Sequence, residues 1–212
     1  IQGPDKEYSG IIKLLSEEHI MYDVIIPSQL DKPGVPNRLK DYDAIILGDI
    51  RNMSDDMVTL IDKYVLDGGK ILVTGATSTN ETAGAPGKRI RLQSLGAEGD
   101  FELFPKAQAT YLKVSEKDKE TLGAEEFKDF SLMMMNSDFL KCRLKQNAVG
   151  FLRFLPTNLY GPAEKTYYKE SDITDYPGLV AYSYGRGKSV FIPWQLGSEY
   201  NTKGNYAQRT LF

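Results

Sequence analysis

The chain carries one histidine, His19, one cysteine, Cys142, and 29 acidic residues, and that inventory limits the chemistry it can host. Covalent hydrolysis needs a nucleophile on a sharp turn, a base within hydrogen-bond reach and an acid to orient the base. His19 falls at the end of the first helical pattern, where an ordinary C-terminal helix residue is expected, and Cys142 sits in Leu140-Lys141-Cys142-Arg143 with no glycine turn around it. Metal chemistry has only carboxylates left to use. Asp55-Asp56 and Glu125-Glu126 read more simply as a helix start and an exposed face, so neither a metal site nor a cofactor is expected. Glycosidase chemistry needs two carboxylates held about 5–10 Å apart in a cleft. With so many acids a pair can always be nominated, and nomination alone carries no weight.

The remaining candidates are groups that bind. Thr74-Gly75-Ala76-Thr77-Ser78-Thr79-Asn80 follows a strand pattern, and open α/β sheets place ligands at the carboxyl ends of their strands. A phosphate cradle there would need a helix starting at once to aim its amides, whereas about ten turn-forming residues intervene. A connecting or sugar-contacting loop fits better. Asp49 and Arg51 close the preceding strand, and a guanidinium can form a forked pair with a carboxylate or with hydroxyls. Aromatics crowd the last third (Tyr160, Tyr167, Tyr168, Tyr176, Tyr182, Tyr184, Trp194, Tyr200 and Tyr206), and flat amphipathic rings suit sugar stacking, interfaces and strand cores alike. Asp49, Arg51, Thr77, Ser78 and Trp194 are therefore the expected lining of any ligand crevice.

The elements that must position these residues are legible by period. Tyr8, Ile11, Ile12 and Leu15 share one face of a helix over residues 7–18. Tyr22-Asp23-Val24-Ile25-Ile26 reads as a short strand, followed by a loop punctuated by Pro and Gly through Pro36. The nearly continuous apolar run Asp43–Gly48 is expected of a strand buried on both faces in a parallel sheet. Ser54 then caps a helix with Asp55 and Asp56 in its first turn, a stripe of Met57, Val58, Ile61, Tyr64 and Val65, and a stop at Gly68-Gly69. Lys70–Gly75 reads as the next parallel strand, and the whole as doubly wound α/β. The strand that would normally precede the first helix is missing from residues 1–6.

Beyond a short helix near Ile90–Leu95 the period changes. Residues 109–114, 149–154 and 179–192 are aromatic and β-branched, the last split by the hairpin turn Tyr184-Gly185-Arg186-Gly187-Lys188, so antiparallel strands are expected in this half. Ser115–Lys128 reads as a charged, partly helical insertion and Met133-Met134-Met135 as core packing.

At 212 residues the chain suits a single α/β domain. A net charge of −3 without a Lys/Arg run gives no field for collecting phosphates, so nucleic acid is not an expected partner. No stretch approaches the roughly 18–20 apolar residues of a membrane helix. One cysteine excludes an internal disulfide and leaves the compartment open. Ile1 in place of an initiator Met, and an end at Leu211-Phe212 within a helical pattern, lead to the expectation of a segment from a longer polypeptide.

The order of phrases carries one further signal. Glu7-Tyr8-Ser9-Gly10 leading to His19-Ile20-Met21-Tyr22-Asp23-Val24, then Tyr42–Leu47, Ser54–Val65, Gly68–Gly75, Pro177-Gly178 and Tyr184–Lys188, resembles the β-galactosidase trimerisation domain. That resemblance implies a class I glutamine-amidotransferase-like fold: a flavodoxin-like three-layer sandwich over residues 1–212, its sheet mostly parallel with additional antiparallel strands in the C-terminal half. It also implies a non-catalytic accessory or oligomerisation domain of a bacterial glycoside hydrolase, with a TIM-barrel catalytic domain in the same chain, a homo-oligomer, and carbohydrate nearby. Amidotransferases of this fold carry a catalytic cysteine on the strand-ending turn, where this chain has Ala76, Thr77 and Ser78. Two alternatives stand beside this reading: a small-ligand or carbohydrate-binding module, and a divergent amidotransferase-like enzyme using Ser78 or Cys142.

Overall fold

A computed structural model describes residues 5–26, 30, 34, 38–80, 87–105, 110–123, 125–156, 167–204 and 206–212. Among the described residues five α-helices and nine strands follow in the order α1 (Asp5–Glu17), β1 (Ile45–Gly48), α2 (Asp55–Leu66), β2 (Lys70–Thr74), β3 (Ala97–Phe104), β4 (Thr110–Lys113), α3 (Glu116–Leu122), β5 (Leu132–Met135), β6 (Phe139–Leu144), β7 (Val149–Leu155), β8 (Pro177–Tyr184), β9 (Gly187–Ile192), α4 (Leu196–Lys203) and α5 (Tyr206–Thr210). Much of the Pro/Gly loop after Ile26, part of the loop after Asn80, Ala109 and Tyr160 lie outside the described residues.

Seven strands form one sheet in the order β1-β2-β9-β8-β7-β4-β5, and β3 pairs with β6 in a separate ribbon. Only β1–β2 and β2–β9 are parallel; the pairs β9–β8, β8–β7, β7–β4 and β4–β5 are antiparallel. The expected mostly parallel sheet is therefore corrected to a mostly antiparallel one with a parallel segment at one side. The cause is the hairpin joining β8 to β9, where Tyr184 pairs with Gly187 and Gly185 takes a left-handed φ of 60°. A two-residue turn can only reverse the chain, while another parallel neighbour needs a long crossover. The antiparallel strands expected in this half are present as β4, β7, β8 and β9.

Each face of the sheet carries its own core, because side chains alternate along a strand. Ile71 and Val73 of β2 and Phe191 of β9 pack with Ile61, Tyr64 and Val65 of α2 and with Leu140 and Cys142 of β6. Leu72, Val190 and Ile192 face the other way, toward Leu14 of α1, Trp194, Phe139 and Phe154. The last two rings stack 4.1 Å apart at 11°. Coverage on both faces is why β1 and β2 read as unbroken apolar runs. Met133 and Met135 are buried in the second core, as their run suggests.

Local chemistry sets the helix ends. Ser54 Oγ accepts from Met57 N at 3.2 Å, and Gly68 with φ 117° follows α2. The short helix near residue 95 is a single 3₁₀ turn, Gln93–Leu95, closed by Gly96 in the left-handed region. Helices α1 and α4 touch backbone to backbone, such that a Cβ on Gly10 would lie 1.7 Å from the Gly197 carbonyl oxygen. One expected element is absent. Residues 20–26 form no strand and leave Met21, Val24 and Ile26 exposed, because among the described residues no strand edge pairs with them.

Candidate functional site

The carboxyl ends of β1 and β2 converge on Asp49, the first residue beyond β1. Its φ of 48° turns the chain, and it is fully buried. Burying a carboxylate is costly unless hydrogen bonds replace its water, and here they do. Oδ1 accepts from Ala76 N at 2.7 Å, Oδ2 accepts from Gln195 Nε2 at 2.7 Å, and Arg51 Nε and Nη2 donate at 3.2 Å. Gly75 passes so close that a Cβ there would meet Asp49 Oδ1 at 2.5 Å, so the turn and the carboxylate require one another.

Arg51 also donates to Asp138 Oδ2 at 3.4 Å, bridging the β1 end to the loop between β5 and β6. Burial works against its charge, while the bonds to Asp49 and then Asp138 more than offset this and hold the guanidinium above its ordinary pKa. About a third of its side chain faces solvent. With Asp138, a quarter exposed, it forms the accessible part of the cluster.

The hydroxyls after β2 serve the backbone. Thr77 Oγ1 accepts from Ile50 N at 2.9 Å and donates to the Thr74 carbonyl at 2.8 Å. Ser78, at φ 60°, donates its N–H to the Ile50 carbonyl and accepts from Leu92 N on Oγ. Both residues are fully buried. Trp194 touches this cluster only through its backbone carbonyl, which accepts from Gly75 N. Its indole points into the second core and donates to the Gly178 carbonyl at 2.9 Å. Thus Asp49 and Arg51 are brought together, Thr77 and Ser78 buttress the loop below them, and the Trp194 ring lies elsewhere.

Three members of the cluster were not singled out by sequence: Asp138, Gln195 and Glu7. Gln195 directly follows Trp194 at a strand end, which is the only local cue. Glu7 looks like an ordinary polar residue of an amphipathic helix, yet it is fully buried. Its carboxylate accepts from Thr74 Oγ1, Gly197 N and Ser198 N, tying α1 to β2 and capping α4. Burial pushes its carboxyl up to about 7, against the pull of those three bonds and with help from the neighbouring Asp49 charge.

Cys142 and His19 lie in unlike surroundings. Cys142 is buried in the first core, and desolvation pushes its thiol up to about 12, so it carries essentially no thiolate at neutral pH. His19 is exposed just past α1. Among the described residues no group of three or more His, Cys, Asp or Glu side chains could hold a metal, and no helix is long and apolar enough to cross a membrane.

No family model matches the sequence, and none of the curated proteins matches it. Solved structures do. An α-L-fucosidase isoenzyme 2 from Paenibacillus thiaminolyticus matches 97% of this chain at 20% identity and a TM-score of 0.66, over 28% of its own length. A β-galactosidase from Bacillus circulans sp. alkalophilus matches 92% at 15% identity and a TM-score of 0.59, over 25% of its length. A cytoplasmic protein from Salmonella typhimurium matches 96% at 16% identity and a TM-score of 0.63, but over 83% of its length. The chain therefore spans about a quarter of the hydrolases it resembles, and at these identities the likeness is one of fold.

Proposed function

We propose that this chain is an accessory domain of a glycoside hydrolase, without catalysis of its own, joined to a TIM-barrel catalytic domain and engaged in subunit association. The flavodoxin-like, class I amidotransferase-like grouping belongs to the same proposal. The observation that carries it is that nearly the whole chain matches only about a quarter of a fucosidase and of a β-galactosidase chain. The site supports the same reading, since Asp49, Thr77 and Ser78 spend their hydrogen bonds on the protein's own backbone and side chains. The pure 212-residue chain is expected to leave nitrophenyl glycosides and glutamine unhydrolysed; robust turnover of either overturns the proposal, as does a full gene product without a sugar-cleaving barrel. Light scattering of the full-length protein, with and without this domain, tests the association role.

A second reading is favoured by Arg51, which stands part-exposed with two carboxylates fixing its plane. A small polyhydroxylated ligand would meet Arg51 and Asp138 at the mouth of the cluster, with Asp49, Thr77 and Ser78 holding the loops beneath and Trp194 bracing their far side. Calorimetric titration with a sugar panel tests it: saturable heat that disappears in Arg51→Ala supports binding there, and a flat response removes it.

A further inference from the structure

The Asp49 cluster lies at the carboxyl ends of β1 and β2. At the opposite, amino ends of these strands is an open cleft of about 520 Å³, within the roughly 300–1,000 Å³ range of small-molecule sites. Its position follows from the topology. Strands β1, β2 and β9 run parallel and side by side, so the residues just ahead of them, Asp43, Gly69 and Arg186, come to one place. Lys40, on the 3₁₀ turn Leu39–Asp41, and Asp67, just past α2, stand on either side.

The walls are fixed by backbone contact. Arg186 N donates to the Leu66 carbonyl at 3.1 Å and Lys188 N to the Gly69 carbonyl at 3.2 Å, which ties the β8–β9 turn to the end of α2. A Cβ on Gly187 would lie 2.1 Å from the Val65 carbonyl oxygen, and one on Gly69 would lie 2.3 Å from the Tyr64 ring. Neither position admits a side chain, so the walls meet without slack. The turn ahead of β1 is anchored by Leu39, buried in the first core, and Tyr42 by the bond from its hydroxyl to Asp23 Oδ2 at 2.8 Å. The space they enclose is open: among the described residues a Cβ on Gly68 would meet only the Arg186 Cβ, at 3.9 Å.

The lining carries two cations and two carboxylates that use one another poorly. Arg186 Nη2 stands 4.0 Å from Asp67 Oδ1, at the outer limit of an ion pair, with 77% of the arginine side chain exposed. Among the described residues neither Lys40 nor Asp43 forms an ion pair. An anion entering the cleft meets two carboxylates and a cation meets two positive groups, so a ligand of either net charge is opposed. A zwitterion needs its charges sorted to opposite walls, whereas here each wall holds one of each sign, Lys40 with Asp43 and Arg186 with Asp67. A hydroxyl both donates and accepts, so a neutral molecule with several hydroxyls serves all four groups at once, through charge-assisted hydrogen bonds.

We propose that this cleft binds a small neutral polyhydroxylated molecule of the sugar or cyclitol class. Asp43 and Asp67 accept from its hydroxyls, and Lys40 and Arg186 donate to them. The site lies at the other end of the strands from Arg51 and does not depend on the accessory-domain reading.

Titration of the 212-residue chain with glucose, lactose and inositol, followed by residue-resolved NMR of backbone amides and the guanidinium, tests it. Saturable shifts are expected at Gly68, Gly69 and the Arg186 side chain, with affinity at least about tenfold weaker in Arg186→Ala and in Asp43→Ala. Both side chains are exposed, and unchanged amide shifts away from the cleft verify that the variants are folded. Shifts that are absent, or that grow without saturating, overturn the proposal. So does binding of phosphate or galacturonate with none of the neutral compounds. Sugar binding lost in Arg51→Ala and kept in Arg186→Ala also overturns it and favours the Arg51 mouth. The accessory-domain reading fails separately, on turnover by the pure chain or on a gene product without a sugar-cleaving barrel.

Discussion

Replacing Glu7 by Gln isolates the cost of the buried carboxylate that locks α1 to α4. In the folded protein its carboxyl is raised from 4.5 to about 7, first by burial and further by the Asp49 charge, against hydrogen bonds from Thr74, Ser198 and Gly197. Between those two values the folded state keeps a proton that the unfolded chain has released, so stability falls as pH rises through this window. A shift of that size corresponds to about 3 kcal/mol, present in full below pH 4.5 and lost by pH 7 to 8. Glutamine does not titrate. Like the protonated acid, it sets a donor where the carboxylate accepted from Ser198 N, so the two proteins should differ little at pH 4.5 and the variant should become the more stable by about 3 kcal/mol near pH 8. Urea unfolding of both proteins at half-unit steps from pH 4 to 8.5 reads the difference directly. A gap that does not change with pH, or that moves in favour of wild type as pH rises, refutes the reasoning and means that the three donors outweigh the burial.

Gly10→Ala should destabilise by about 3 kcal/mol or more, because its methyl group would strike the Gly197 carbonyl and force α1 off α4; a melting temperature within a degree of wild type would contradict this. Asp49→Ala strands the Ala76 amide and the Gln195 amide and leaves Arg51 with Asp138 as its carboxylate partner, and a loss of about 3 kcal/mol is expected from chemical denaturation. The Cys142 thiol should resist a maleimide reagent at pH 7.5 in the native protein and react fully in denaturant, as mass spectrometry will report; fast native labelling would contradict its burial. Trp194→Phe removes the bond to the Gly178 carbonyl as well as ring volume, and a cost of about 2 kcal/mol is expected in the same unfolding assay.

How far the sequence carries depends on whether a feature is local. Helix α2 is readable in full, since its Ser54 cap, acidic first turn, buried stripe and glycine stop all act within a few residues. The apolar runs of β1 and β2 are readable because burial on both faces removes the polar alternation. Strand partners and directions are set by contacts far apart in sequence, which is why β9 joins β2 in parallel while four other pairs of the seven-stranded sheet run antiparallel. Tyr22–Ile26 has the composition of a strand, but a strand exists only where another strand meets it.

The candidate site divides in the same way. The sequence places Cys142 and His19 in separate patterns and puts Asp49, Arg51, Thr77 and Ser78 in the turns after β1 and β2. Only the tertiary structure decides that the Thr77 and Ser78 hydroxyls turn to backbone, that the Trp194 ring leaves for the opposite core, and that Asp138 and Gln195 complete the pairing of Asp49 with Arg51. The physical reason is burial. A hydroxyl or carboxylate removed from water takes whichever donor or acceptor the packed chain brings within about 3 Å, and that partner, as with Glu7 and Ser198 across 191 residues, leaves no mark on the sequence around it.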